Sequence, residues 1–126
     1  MKSIKNWKYV KPLPNKTVIN EFIKLHDVIL PNDLINCLTE NNGGRPSEFL
    51  IDTDKRKEYI FQSLFSYNPK DKNSIYEIYN RLFKNNVLYP VGIEASGNII
   101  CYHQVKKEFV LWNHETDKYE KIQKFY

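Results

Sequence analysis

Three residues of this chain carry side chains suited to metal or nucleophile chemistry at close spacing: Cys101, His103 and His114. Side chains two apart on a strand share a face, so Cys101 and His103 would point the same way, with His114 near the end of the next extended stretch. Zinc accepts Cys, His and carboxylate ligands, four in all, and Glu115 or Asp117 could supply the fourth. Against this reading, the neighbouring Trp112 asks for a packed apolar face, and an isolated Cys-x-His is a frequent coincidence. A Cys–His nucleophile pair would need an activated thiolate within hydrogen-bonding reach of its base. Two positions along a strand separate side chains by about 6 to 7 Å, which is too far. Cys101 therefore reads as an inert core thiol, and no catalytic, cofactor-binding or metal-binding residue is assigned.

Other chemistries fare no better. The carboxylates Asp52 and Asp54 sit in a segment with Lys55, Arg56, Lys57 and Glu58, which suits a solvated loop. No phosphate-binding glycine loop, zinc-protease helix or serine-hydrolase elbow is present, and four glycines leave little material for one. Lys2, Lys5, Lys8 and Lys11 recur every three residues around Trp7 and Tyr9. Basic residues interleaved with aromatic rings can follow a single nucleic-acid strand. Trp7 reads better as a packing anchor, however, and carboxylates surround the second basic cluster, so nucleic acid is not the expected partner.

Composition narrows the class further. The chain has 126 residues, 41% hydrophobic and 14% aromatic, which supports a packed core. We expect a single domain over 1–126, with 1–14 as an N-terminal arm. Its net charge of +4 permits an acidic partner without requiring one. Cys37 and Cys101 lie in no paired motif and are expected to be reduced, as in a cytoplasmic protein. The basic N-terminus has no apolar run of the kind a secretory signal needs, and no stretch suits a membrane span.

The elements that must position these residues follow from periodicity and punctuation. Asn15 or Thr17 can cap a helix over 15–26, whose stripe is Val18, Ile19, Phe22 and Ile23. The segment 30–44 organises the rest: Pro31 opens a helix, Leu34, Ile35 and Leu38 share a face, and Asn41-Asn42-Gly43-Gly44 closes it. Strands are predicted over 47–52 and 59–67, and a third helix over 74–86 with Ile75, Ile78, Tyr79, Leu82 and Phe83 inward. A strand over 88–93 carries Pro90, which suggests its start or an edge position. Stretches 98–104 and 108–114 should form a hairpin. A two-residue Lys106-Lys107 turn would set Cys101 opposite Trp112 and His103 opposite Val110. Both faces of that hairpin are apolar, so it should be central. The tail 116–126 is expected to be a last strand or a short helix.

Taken in order, Leu30-Pro31, Asn42-Gly43-Gly44, Tyr89-Pro90-Val91, Gly97-Asn98, Ile100-Cys101 and Trp112-Asn113-His114-Glu115 resemble the SUKH superfamily, of the Smi/Knr type. The resemblance covers about 15–116. It implies an α+β fold: a mostly antiparallel twisted sheet of about five to six strands with about three helices packed on it. It also implies no catalytic residues and no cofactor. Most bacterial members look like immunity proteins that bind and block a cognate polymorphic toxin, often a nuclease or deaminase; the fungal relatives suggest a regulatory or scaffold module instead. Many relatives carry Asp where this chain has His103 and Asn113, so this chain is the less acidic one. A nuclease inhibitor is commonly acidic, which leaves an acidic or neutral partner, a local acidic patch at Asp52, Asp54 and Glu58, or a role other than immunity. The expected partner is a protein, a toxin domain first, and the expected state a monomer or weak dimer. His103, Lys106, Lys107, Asn113 and His114 are expected to be exposed near the sheet end and to form part of the partner-binding surface.

Overall fold

The computed structural model describes residues 6–47, 50–82 and 87–125. In chain order these form β1 (Trp7–Lys8), α1 (Val18–Leu25), α2 (Asn32–Glu40), β2 (Arg45–Pro46), β3 (Leu50–Thr53), β4 (Tyr59–Leu64), α3 (Ile75–Leu82), β5 (Leu88–Glu94), β6 (Ile99–His103), β7 (Glu108–Asn113) and β8 (Lys118–Phe125). This is the predicted α+β architecture of antiparallel strands and helices. The predicted residues 83–86 of the third helix lie outside the described residues.

The ends of α1 show how local sequence sets an element. Thr17 holds the cap position without a side-chain cap bond, and Asn15 Oδ1 accepts the Thr17 N–H at 2.9 Å. At the other end Asp27 takes a left-handed φ of 52°. The Asp27 N–H donates to Lys24 O at 3.3 Å and the Val28 N–H to Ile23 O at 3.0 Å. That pair of bonds is the Schellman ending, which satisfies carbonyls a helix would otherwise leave open. Ile19, Phe22 and Ile23 are the buried face, as the stripe requires. In α2, Leu34 and Leu38 are buried and Ile35 half-buried. The helix stops where Gly43 turns left-handed at φ 63°.

Six strands pair in the order β3-β4-β5-β6-β7-β8, and β8 returns to β3, so the sheet closes on itself. Ile51 pairs with Phe125 at that seam. Closure was not foreseen from the sequence; it removes the edges that unpaired strands would expose. The tail is a strand because β3 and β7 offer it two partners. Pro90 stands inside β5, between β4 and β6. It is tolerated there because the β4 partners begin only at Gly92, and the β6 pairing shifts register between Pro90 and Gly92.

The β6–β7 hairpin corrects one expectation. Its turn has four residues, 104–107, and Cys101 pairs with Val110 while His103 pairs with Glu108. A two-residue turn would need positive φ at Lys106, and in its commonest form at both lysines; the longer one takes it at Lys107, φ 56°. The register differs by an even number of residues, so every side chain keeps its predicted face. Cys101 and Val110 on one face and Ile100 and Leu111 on the other are all buried, which confirms the hairpin as central. Around it, α1 and α2 lie side by side and α3 packs on β5. Phe22 of α1 meets Tyr67, Tyr76 and Tyr79 edge-on at 5.1 to 5.6 Å and so ties the helical layer together.

Candidate partner-binding surface

The five predicted contact residues do not make one patch. His103, Lys106 and Lys107 lie where β6 turns into β7, whereas Asn113 and His114 lie where β7 turns into β8. Five steps of strand separate those ends by about 17 Å. At the far end, His114 Nδ1 is 2.8 Å from Asn98 Oδ1, and a Cβ on Gly97 would come within 3.3 Å of the His114 ring. His114 therefore belongs with the β5–β6 turn, away from His103. The zinc arrangement considered for Cys101, His103 and His114 is not assembled. Among the described residues no group of three or more His, Cys, Asp or Glu is placed to hold a metal ion.

His103 was expected to be exposed, and it is 5% exposed. Its position on the Cys101 face of a central strand puts it under neighbouring side chains. Nδ1 accepts the Lys106 N–H at 3.1 Å, which leaves the remaining proton of the neutral ring on Nε2. Burial, and then the Lys106 charge, hold its pKa below the ordinary value of 6.5. The Tyr119 ring lies 5.5 Å from the imidazole, and Lys106 Nζ sits 5.4 Å from the centre of that same tyrosine. Cys101 is fully buried, and desolvation pushes its thiol well above the usual range, so it stays protonated. Cys37 is half-buried and raised for the same reason. Both cysteines are free.

Between the two ends of β7 runs a groove of about 480 Å³, with His103, Trp112, Tyr119, Leu88, Arg81 and Asp117 among its walls. The Trp112 Nε1–H donates to Asp117 Oδ1 at 2.8 Å, which fixes the indole as a wall. Of the five predicted contact residues, His103 alone is among the groove's lining residues. The suggested acidic patch is weaker than expected. Asp52 is buried, its Oδ1 accepting the Glu58 N–H at 2.8 Å, so Asp54 and Glu58 alone face solvent there.

A second groove, of about 400 Å³, lies under the N-terminal arm. Trp7 is the packing anchor that the sequence suggested: half-buried, it meets Phe61 edge-on at 5.9 Å. Tyr9 is 75% exposed and lies against the Arg45 guanidinium at 6.0 Å. Lys11, Arg45, Lys72 and Asp71 complete the charged lining. Lys2 and Lys5, also considered for nucleic acid, lie outside the described residues. Arg45 lies in β2 and Lys72 in a turn, and no local pattern in the sequence marks them.

Residues 14–124 match the model of the SMI1 / KNR4 family (SUKH-1). The chain belongs to this family. No curated protein and no solved structure matches it. The match takes in β2 to β8 and all three helices of the SUKH domain, while Trp7, Tyr9 and Lys11 precede it. SUKH proteins are generally non-catalytic and are often immunity proteins, and the family points to protein–protein interaction. Among the described residues no helix is long and apolar enough to cross a membrane.

Proposed function

We propose that this SUKH-domain protein is a non-catalytic binding module of the cytoplasm that captures and neutralises a cognate polymorphic toxin of the nuclease or deaminase type. The observation that carries the reading is the family match over 14–124. The surface is compatible with it. The groove along β7 offers Trp112 and Tyr119 as aromatic walls, and such rings are typical centres of binding energy when a partner covers them. His103 is among the lining residues, and Lys106 Nζ lies 5.4 Å from the centre of the Tyr119 ring, so a partner seated there would meet both.

Co-expression with the toxin encoded beside it is the test. Growth is expected to be rescued, and the two chains to co-purify as one copy of each. A toxin that kills unimpeded and does not co-purify would end this reading. Capture of a non-toxin protein in the same experiment would favour the regulatory or scaffold role associated with the Smi/Knr type.

A further inference from the structure

We propose that the groove under the N-terminal arm is a docking site for an acidic, extended peptide segment of a protein partner. It is formed by Tyr9, Lys11, Arg45 and Lys72, and it rests on the reading of the domain as a protein-binding module. The first support is charge. Three cations line the groove against one carboxylate, Asp71, whose Oδ2 already accepts the Ser66 hydroxyl at 2.6 Å. None of the three cations makes an ion pair with a described residue. Lone cations facing one cleft focus a positive field and favour a carboxylate-rich occupant.

The second support is rigidity. Asn42 is 1% exposed, and its amide and carbonyl tie together the segments that carry the cations. Asn42 O accepts the Lys11 N–H at 2.8 Å, and Asn42 Nδ2 donates to Lys11 O at 3.3 Å and to Ser66 Oγ at 3.1 Å. Asn42 Oδ1 accepts the Tyr67 N–H at 2.8 Å, and the Ser66 N–H donates to Asn73 O at 3.0 Å beside Lys72. Gly43 allows the Lys11 stem to lie over the backbone, since a Cβ there would come within 3.0 Å of Lys11 Cδ. Arg45 is fixed by pairing with Lys8. A cleft whose backbone is already held loses little entropy on binding.

The third support separates peptide from nucleic acid. Single-strand grooves stack successive bases on several rings. Here Trp7 is turned onto Phe61, and Tyr9 is the one ring among the groove's lining residues, already faced by Arg45. Gln62, Ser63 and Asn73 add hydrogen-bonding groups suited to a peptide backbone.

The test is fluorescence anisotropy on the full chain with a labelled ten-residue oligoglutamate, and in parallel with a ten-nucleotide oligothymidylate. The peptide is expected to bind at low salt. Reversing the groove with Arg45→Glu and Lys72→Glu together should weaken it about tenfold or more, as loss of charge-assisted contacts does. Lys106→Glu with Lys107→Glu should change it less than about threefold, as rim charges do. The neutral pair Arg45→Gln and Lys72→Gln should act in the same direction if the reversed pair fails to fold. Absence of peptide binding, equal loss from the Arg45/Lys72 and Lys106/Lys107 reversals, or tighter binding of the oligothymidylate would each overturn the proposal. Toxin rescue by the unaltered chain is read separately, so the groove can fail while the immunity reading stands.

Discussion

The groove along β7 and the groove under the arm are similar in size and opposite in character. In the first, Arg81 is the one Lys or Arg among the lining residues, Lys106 lies on Tyr119, and Asp117 holds Trp112. His103 is kept neutral by burial. Its free resources are ring surfaces, so a partner would gain mainly from excluding water there. In the second, Lys11 and Lys72 make no ion pair with a described residue, and Arg45 lies against Tyr9. Apolar contact governs how slowly a complex dissociates, whereas an unpaired basic cleft governs how fast an acidic partner arrives and how strongly salt interferes. One module can present both without either being an active site.

Three changes would break or sharpen this contrast. Asn42→Ala should have the largest effect, because it takes the acceptor from the Tyr67 N–H, in a buried bond, and cuts the side-chain bonds to Lys11 O and Ser66 Oγ. We expect a loss of about 2 to 3 kcal/mol in urea unfolding, together with loss of oligoglutamate binding. Full stability in this variant would mean that the arm groove is not held as described. Trp112→Ala should weaken toxin capture by about 2 kcal/mol, roughly thirtyfold, as removal of an aromatic centre does. Oligoglutamate binding should not change, and a change within twofold in toxin affinity would remove the β7 groove from the interface. The smallest effect concerns His103. Its folded pKa lies below the unfolded value of 6.5, so the unfolded chain binds the proton more readily. Stability should therefore fall as pH drops through 6.5 and level off below the folded value. His103→Asn, which can still accept the Lys106 N–H, should flatten that part of the profile; an unaltered slope would assign it to other groups.

How far the chain could be read in advance differs between these regions for physical reasons. The stripe of Ile19, Phe22 and Ile23 and the Asn-Asn-Gly-Gly stop are local: a helix repeats its face every turn, and a left-handed residue ends it. They could be placed without knowing what they pack on. The five contact residues were grouped by nearness in sequence, which fails along a strand. Its ends face opposite directions, and the predicted length of 108–114 already contained that separation. His103 was expected at the surface because it is polar, but its alternation with Cys101 placed it on a covered face. No local sign foretold the arm groove, since Tyr9, Arg45 and Lys72 have no shared period.

Periodicity and punctuation alone determined the three helices and the β6–β7 hairpin, because each forms from neighbours a few residues apart; the mainly antiparallel sheet was what the family resemblance implied. The order of its motifs also determined the family. Only the tertiary structure decided that the sheet closes through β3 and β8, that Lys106 and His114 lie apart, and that Lys11, Arg45 and Lys72 line one cleft. Those outcomes depend on pairings between distant segments, whose energy comes from the assembled core and whose geometry no short window of sequence contains.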